Sequence, residues 1–90
     1  MSKIKLTERE LELIKYLAEG CNNKQIAGKM FVTISDVKFH MTTVMEKFGV
    51  KNRTSVAIIA VVTGLVNYRE INFLKPFLSD SENPVIIEIK

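Results

Sequence analysis

A stripe of apolar residues at helical spacing constrains the fold of this chain more than any other feature. Val37, Met41, Val44 and Phe48 follow one another at intervals of four, three and four residues, so they share one side of a helix over about 34–48. The opposite side carries a different set of residues: Ser35, Lys38, Phe39 and Thr42. The pattern predicts a helix that buries one side in a core and exposes the other.

A shorter helix precedes this one after a very tight turn. Asn22 is a suitable N-cap for a helix over about 23–30, and Phe31 and Val32 form the turn. Thr33 then caps the longer helix. Two helices joined in this way predict a helix-turn-helix over about 22–42, whose second helix has the shape and polarity to enter a DNA major groove.

Helix signals also flank this segment on both sides. Thr7 followed by Glu10 is a capping-box pattern, and it predicts a first helix over about 8–19. Asn52 is a suitable N-cap for a fourth helix that reaches about Thr63. The sequence therefore predicts an all-α fold with four helices.

We expect the domain to span residues 4–66 and a C-terminal extension to span residues 67–90. The run 56–62 is apolar at every position, so one side of the fourth helix is left over once the core is covered. Either the chain's own tail or a second copy of the protein must cover that side. Pro76 disfavours a continuous helix in the extension, and residues 85–89 are predicted to form a lone edge strand or a frayed end.

The basic residues are concentrated in the helix-turn-helix half of the chain. The net charge is +3, and residues 1–54 contain ten Lys or Arg against six Asp or Glu, whereas the remaining residues contain three against four. A modest positive surplus at this place suits a polyanionic partner such as DNA.

Several classes of function find no support in the sequence. With one cysteine, Cys21, and one histidine, His40, the chain offers no internal disulfide and no metal-ligand cluster. Neither a signal peptide nor an apolar run of membrane-spanning length is present. No catalytic constellation or glycine-rich phosphate loop is evident. We therefore expect a cytoplasmic protein that is not an enzyme, with no cofactor, no metal, no membrane contact and no small-molecule substrate.

Five short motifs resemble those of the LuxR/GerE family of bacterial DNA-binding domains, in order and without gaps over about residues 4–66. They are Leu6-Thr7-Glu8-Arg9-Glu10, Leu17-Ala18-Glu19-Gly20, Asn22-Asn23-Lys24-Gln25-Ile26-Ala27, Val37-Lys38-Phe39-His40 and Lys47-Phe48-Gly49-Val50-Lys51-Asn52-Arg53-Thr54. The resemblance implies a transcriptional regulator that places helix three in the major groove of double-stranded DNA as a homodimer on inverted half-sites. Because only about five residues precede the match, we expect no receiver or ligand-sensing domain in this chain.

The resemblance also implies which residues contact DNA. Asn23 and Lys24 match backbone-contacting positions at the start of helix two, and Thr33 matches a cap near phosphate. Positions on helix three match residues that face the bases or the nearby backbone, and Lys47 matches a basic position at its end. The full expected set is Asn23, Lys24, Thr33, Ser35, Lys38, Phe39, His40, Thr42 and Lys47.

Helix four commonly makes the dimer contact in this family. Here the expected interface residues are Val56, Ile59, Ala60 and Thr63.

Three positions depart from the family pattern. Asp36 stands where threonine is usual, and its charge would be repelled by DNA unless it caps its own helix with Thr33. Phe39 is bulkier than usual, and Ile34 is an unusual apolar residue for a first turn. These departures bear on both sequence preference and binding strength.

Two alternatives stay open at this point. The chain could be a protein-interaction module in which helix four and the tail pair with a full-length regulator or with RNA polymerase. A related helix-turn-helix also occurs in the polymerase-bound region of sigma factors, although the motif at 47–54 favours the LuxR/GerE interpretation.

Overall fold

Four α-helices and two short 3₁₀ segments make up the regular structure of residues 3–90, the part of the chain that this computed structural model describes. The helices are α1 Glu8–Ala18, α2 Asn23–Met30, α3 Ile34–Phe48 and α4 Arg53–Val62, followed by 3₁₀ turns at Tyr68–Glu70 and Asn72–Phe77. The predicted all-α fold is confirmed. No strand forms within residues 3–90, so the strand alternative for residues 85–89 is wrong; they are exposed and pair with no neighbouring strand.

Each α-helix begins at the capping residue that the sequence predicts. In α1 the Glu10 amide donates to Thr7 Oγ1 over 3.1 Å, and the Thr7 amide donates to Glu10 Oε1 over 2.8 Å. This reciprocal arrangement satisfies two amides that a helix end otherwise leaves without partners. The four capping pairs are Thr7–Glu10, Asn22–Gln25, Thr33–Asp36 and Asn52–Ser55. Local hydrogen bonds thus fix where the helices start.

The core lies where α1 meets the other three helices. Val37, Met41 and Val44 of α3 are buried against it, and Phe48 is half-buried. The side chains with no exposed surface are Leu13, Ile14, Ile26, Val37, Val44, Val56 and Ala60. Burial of one Leu, Ile or Val side chain contributes about 1.5–3 kcal/mol. The predicted stripe of α3 therefore faces the interior.

The C-terminal extension takes part in this core. Ile71, between the two 3₁₀ turns, is only 2% exposed, and Val66, the last residue of the expected domain, is also buried. The Val66 amide donates to the carbonyl of Ala60 over 3.0 Å and so fixes the chain as it leaves α4. The extension is packed on the four-helix domain at least as far as Leu74, which contacts the core.

A partly buried ion pair joins α1 to the end of α3. Glu10 is 3% exposed, and its Oε1 lies 2.6 Å from Nζ of Lys47 at the end of α3. The same ammonium group donates to the carbonyl of Lys5 over 3.0 Å. Burial by itself raises the pKa of Glu10, but hydrogen bonds from Lys47 and the Thr7 amide outweigh it and leave the pKa below its usual value. The pair therefore holds the N-terminal segment, α1 and α3 together.

Substitution of Lys47 and substitution of Glu10 should lower the free energy of unfolding by different amounts. Lys47→Met leaves the Glu10 carboxylate buried without its cation and should lower the free energy of unfolding by about 3 kcal/mol. Glu10→Gln keeps the capping acceptor and leaves a partly hydrated lysine, so it should cost about 1 kcal/mol. Urea unfolding at pH 7 measures both values, and equal losses would contradict this account.

The same pair predicts a pH dependence. Because the folded-state pKa of Glu10 is lowered, its stabilising contribution is present above about pH 4.5, the ordinary pKa, and is lost as the pH falls through the lowered value. Urea unfolding between pH 7 and pH 3 should show this loss in the native sequence. The loss should be smaller in Glu10→Gln, which has no carboxyl group at this position.

Candidate nucleic-acid interface

The outer side of α3 is a second stripe that mirrors the buried one. Ser35, Phe39, Thr42 and Glu46 are spaced by four, three and four residues, and all are exposed. They lie two residues out of step with the buried stripe, and at about 100° per residue this places them on the opposite side of the helix. Lys38 is exposed beside them. The predicted division of α3 into an inner and an outer side is therefore present in the fold.

Hydroxyl groups on this surface already donate to the helix backbone. Thr42 Oγ1 donates to the carbonyl of Lys38 over 3.0 Å, and Thr43 Oγ1 donates to the carbonyl of Phe39 over 3.2 Å. The half-buried His40 ring meets the Phe39 ring edge to face, with centroids 5.6 Å apart. The centre of the outer stripe thus offers the Phe39 ring and a threonine whose hydroxyl hydrogen is already used, with Lys38 as a cation at its side.

Asp36 is turned back onto the start of its own helix. Its Oδ2 accepts from the Thr33 amide over 3.2 Å, while its own amide donates to Thr33 Oγ1 over 3.0 Å. Hydrogen bonding with the side chain and then the backbone of Thr33 lowers the pKa of Asp36. The capping interpretation of this unusual residue is confirmed, and the carboxylate has a structural partner within the protein.

The start of α2 is held by a residue that the sequence analysis did not single out. Arg53, the first residue of α4, donates to Asn23 Oδ1 and also to the carbonyl of Cys21, the latter over 3.2 Å. Asn23 is half-buried, whereas Lys24 is exposed beside it. Arg53 lies in one of the family-like motifs, but its partners are about 30 residues away in the sequence. It therefore acts on the interface by fixing the position of α2.

Lys47 occupies a different environment from the other expected DNA contacts. Its side chain is 33% exposed and paired with buried Glu10. The ammonium group is therefore already bound inside the protein, and we leave Lys47 out of the contact set proposed below.

The expected dimer residues on α4 do not share one surface. Val56 and Ala60 are 0% exposed, so their assignment to the dimer interface was wrong, because neither has surface to offer a partner. Ile59 is half-buried and Thr63 is exposed. In a run that is apolar all round the helix, the sequence gives no sign of which side faces inward.

The exposed apolar side of α4 instead carries Ile58 and Val62, which are 58% and 79% exposed. Together with Phe73 and Leu74 of the extension they border an open apolar groove. The tail thus lies along one edge of this side of α4, so it provides the first of the two covers expected from the sequence only in part. The remainder is open in the single chain.

The turn between α2 and α3 has an exposed aromatic residue in an unusual conformation. Phe31 ends α2 with φ 57° and ψ 44°, the left-handed region, and it is 94% exposed. Most residues other than glycine and asparagine are disfavoured in that region. The sequence predicted the turn but gave no sign of this backbone conformation.

The family is decided by comparison with known proteins. The model of the luxR family of bacterial regulatory proteins matches residues 5–60. The chain belongs to this family. Its helix-turn-helix is therefore of the luxR type.

Individual relatives agree with this assignment. The transcriptional regulatory protein LiaR of Bacillus subtilis is 45% identical over 62 residues, which cover 69% of this chain and 29% of LiaR. The HTH-type transcriptional regulator AlkS of Pseudomonas putida is 41% identical over 68% of this chain and 7% of its own length. This luxR-family chain therefore spans less than a third of these relatives.

A solved structure is similar in fold. The response regulator ChrA of a heme-sensing two-component system aligns with a TM-score of 0.66 and 33% identity, over 73% of this chain and 33% of that one. These matched proteins are regulators and indicate no enzyme family. Among residues 3–90 no helix is long and apolar enough to cross a membrane.

The strain at Phe31 can be tested without disturbing the core. Phe31→Asn should raise the free energy of unfolding by about 0.5–1 kcal/mol, because asparagine tolerates the left-handed region and little burial is lost. Phe39→Asn, at an exposed helical position, serves as the control and should bring no gain. Urea unfolding measures both. A loss of stability in Phe31→Asn would mean that the phenyl ring makes a stabilising contact.

Proposed function

We propose that this luxR-family chain is a DNA-binding transcriptional regulator that inserts α3 into the major groove as a homodimer on inverted half-sites. The observation that supports this most is the outer stripe of α3, which is exposed along its length while the opposite stripe is buried. Such a helix, braced by α2, has the dimensions to enter the groove of B-form DNA. This function places the protein with the chromosome, in the bacterial cytoplasm.

Each proposed contact follows from the position of its residue. Ser35, Lys38, Phe39 and Thr42 lie on or beside the outer stripe and face the base edges. Lys24 and Asn23 at the start of α2, Thr33 at the start of α3 and half-buried His40 lie nearer the phosphates. The free amides and the positive end of the helix dipole at the start of α2 favour an anion there.

The two acids on α3 set the direction in which it enters. Asp36 accepts a hydrogen bond from the Thr33 amide, so its carboxylate stays charged but lies at the positive end of its own helix dipole. Glu46 lies on the outer stripe near the C-terminal end and repels phosphate. The N-terminal half of α3 therefore makes the closest approach to the bases.

Binding itself is tested by titrating the full chain against mixed-sequence duplex at several salt concentrations. We expect affinity to fall steeply as salt rises, because phosphate contacts release bound cations. Selection from a random duplex pool should then enrich an inverted repeat. If duplex DNA is not bound at low salt, the proposal fails.

Two lysines should have different effects on binding. Lys38→Ala should relax base preference at one position, at a cost of about 1–3 kcal/mol if it contacts guanine with two hydrogen bonds. Lys24→Ala should weaken all duplexes alike and reduce the salt slope by about one. Fluorescence anisotropy with the selected site and with single-base variants separates the two effects. An unchanged site preference in Lys38→Ala would remove this residue from base recognition.

The homodimer is proposed to use the exposed side of α4, with Ile58 and Val62 beside Ile59 and Thr63. Val62→Asp places a charge in that contact and should weaken self-association at least about tenfold. Val62→Thr, which has the same shape, is the matched control and should weaken it much less. Sedimentation equilibrium measures both, and equal dimer constants for the native chain and Val62→Asp would place the interface elsewhere.

The apolar groove beside α4 also supports a second function, that of a protein-interaction module. Its partner would be a full-length regulator or RNA polymerase, bound through Ile58, Val62 and Phe73. This alternative predicts a stable hetero-complex and little binding to duplex DNA in the same salt titration.

A further inference from the structure

Phe39, at the centre of the α3 outer stripe, has no side-chain group that can form a hydrogen bond with a base. Phe39 lies opposite the buried stripe and is 68% exposed. Its ring is supported from one side by the edge-to-face contact with His40, at an interplanar angle of 70°. The ring is thus held at the surface with the rest of its area open.

The next residue along the stripe extends this apolar character. Thr42 donates its hydroxyl hydrogen to the backbone of its own helix over 3.0 Å. Thr42 can therefore offer a partner its methyl group and an acceptor oxygen, but no donor. Two successive positions of the stripe therefore offer little donor capacity to a base edge.

The chemistry of the major groove limits what such a surface can recognise. Each base edge there presents donors and acceptors, and the one apolar group is the C5-methyl of thymine. A phenyl ring pressed onto an edge without that methyl group would bury donors or acceptors without partners. A methyl group under the ring removes apolar surface from water instead.

We propose that Phe39, with Thr42 beside it, selects its base pair by the C5-methyl group of the pyrimidine. This inference rests on the proposed function, since it requires α3 to lie in the major groove. Phe39 is then a specificity-determining residue, and Lys38, next to it in the chain, reads acceptors on a neighbouring base. The ligand that this position recognises is a 5-methylpyrimidine, whether thymine or 5-methylcytosine.

The test removes single methyl groups from DNA. Once a site has been selected from the random pool, each thymine is replaced in turn by uracil, which differs only in lacking the methyl group. Wild-type affinity should fall about fourfold at each position where the ring covers a methyl group. In a second pair of duplexes a C·G pair replaces the T·A pair at that position. The duplex with 5-methylcytosine should then bind more tightly than the duplex with cytosine, by a similar factor.

The protein variants show whether the effect belongs to Phe39. Phe39→Ala should bind thymine and uracil sites equally at that position, whereas Phe39→Leu should keep part of the preference. Phe77→Ala removes an exposed phenylalanine, 52% exposed, from the C-terminal extension and should keep the full preference. Because uracil alters duplex shape for every variant alike, the difference between variants isolates the contact.

The possible failures can be told apart. An equal preference for thymine over uracil in the wild type and in Phe39→Ala overturns this inference and leaves the proposed function intact. Salt-sensitive binding that uracil weakens at no position would likewise overturn this inference and leave the proposed function intact. No binding to any duplex overturns the proposed function and this inference with it. Circular dichroism confirms that the exposed substitutions leave the helices in place.

Discussion

The burial of one side of α3 is the constraint on which the interface depends. A helix is a stiff cylinder, so once Val37, Met41 and Val44 are fixed in the core, the direction of every other side chain on α3 is fixed too. The outer stripe therefore faces outward because the opposite side of α3 is buried, and not because of contacts that its own side chains make. Changes in the core that rotate α3 would therefore alter the interface without touching it.

Polar contacts then fix the ends of the helices around this core. The capping pair of Thr33 and Asp36 fixes the start of α3, and the ion pair between Lys47 and buried Glu10 fixes its end. Arg53 does the same for the start of α2 through Asn23. Three of these residues match DNA-contacting positions of the family, and in this fold Asn23, Thr33 and Lys47 each form a hydrogen bond inside the protein.

The fourth helix shows where a periodic pattern ceases to be informative. Its apolar residues surround the whole helix, so its rotation depends on what packs against it. In the fold, Val56 and Ala60 face the core, the extension borders the remaining surface, and Ile58 and Val62 stay open. A partner that covers those two residues would also meet Phe73 of the extension, which lines the same groove.

The sequence by itself determined the four helices, their capping residues and the two sides of α3, because these depend on contacts within one turn or on a single helical period. It also carried the family motifs. Only the tertiary structure decided that Glu10 pairs with Lys47, that Arg53 holds Asn23, which side of α4 is open and that Phe31 adopts a left-handed conformation. The two pairings join residues some 30 to 40 positions apart, and the other two features depend on how the helices meet. No local pattern encodes such relations.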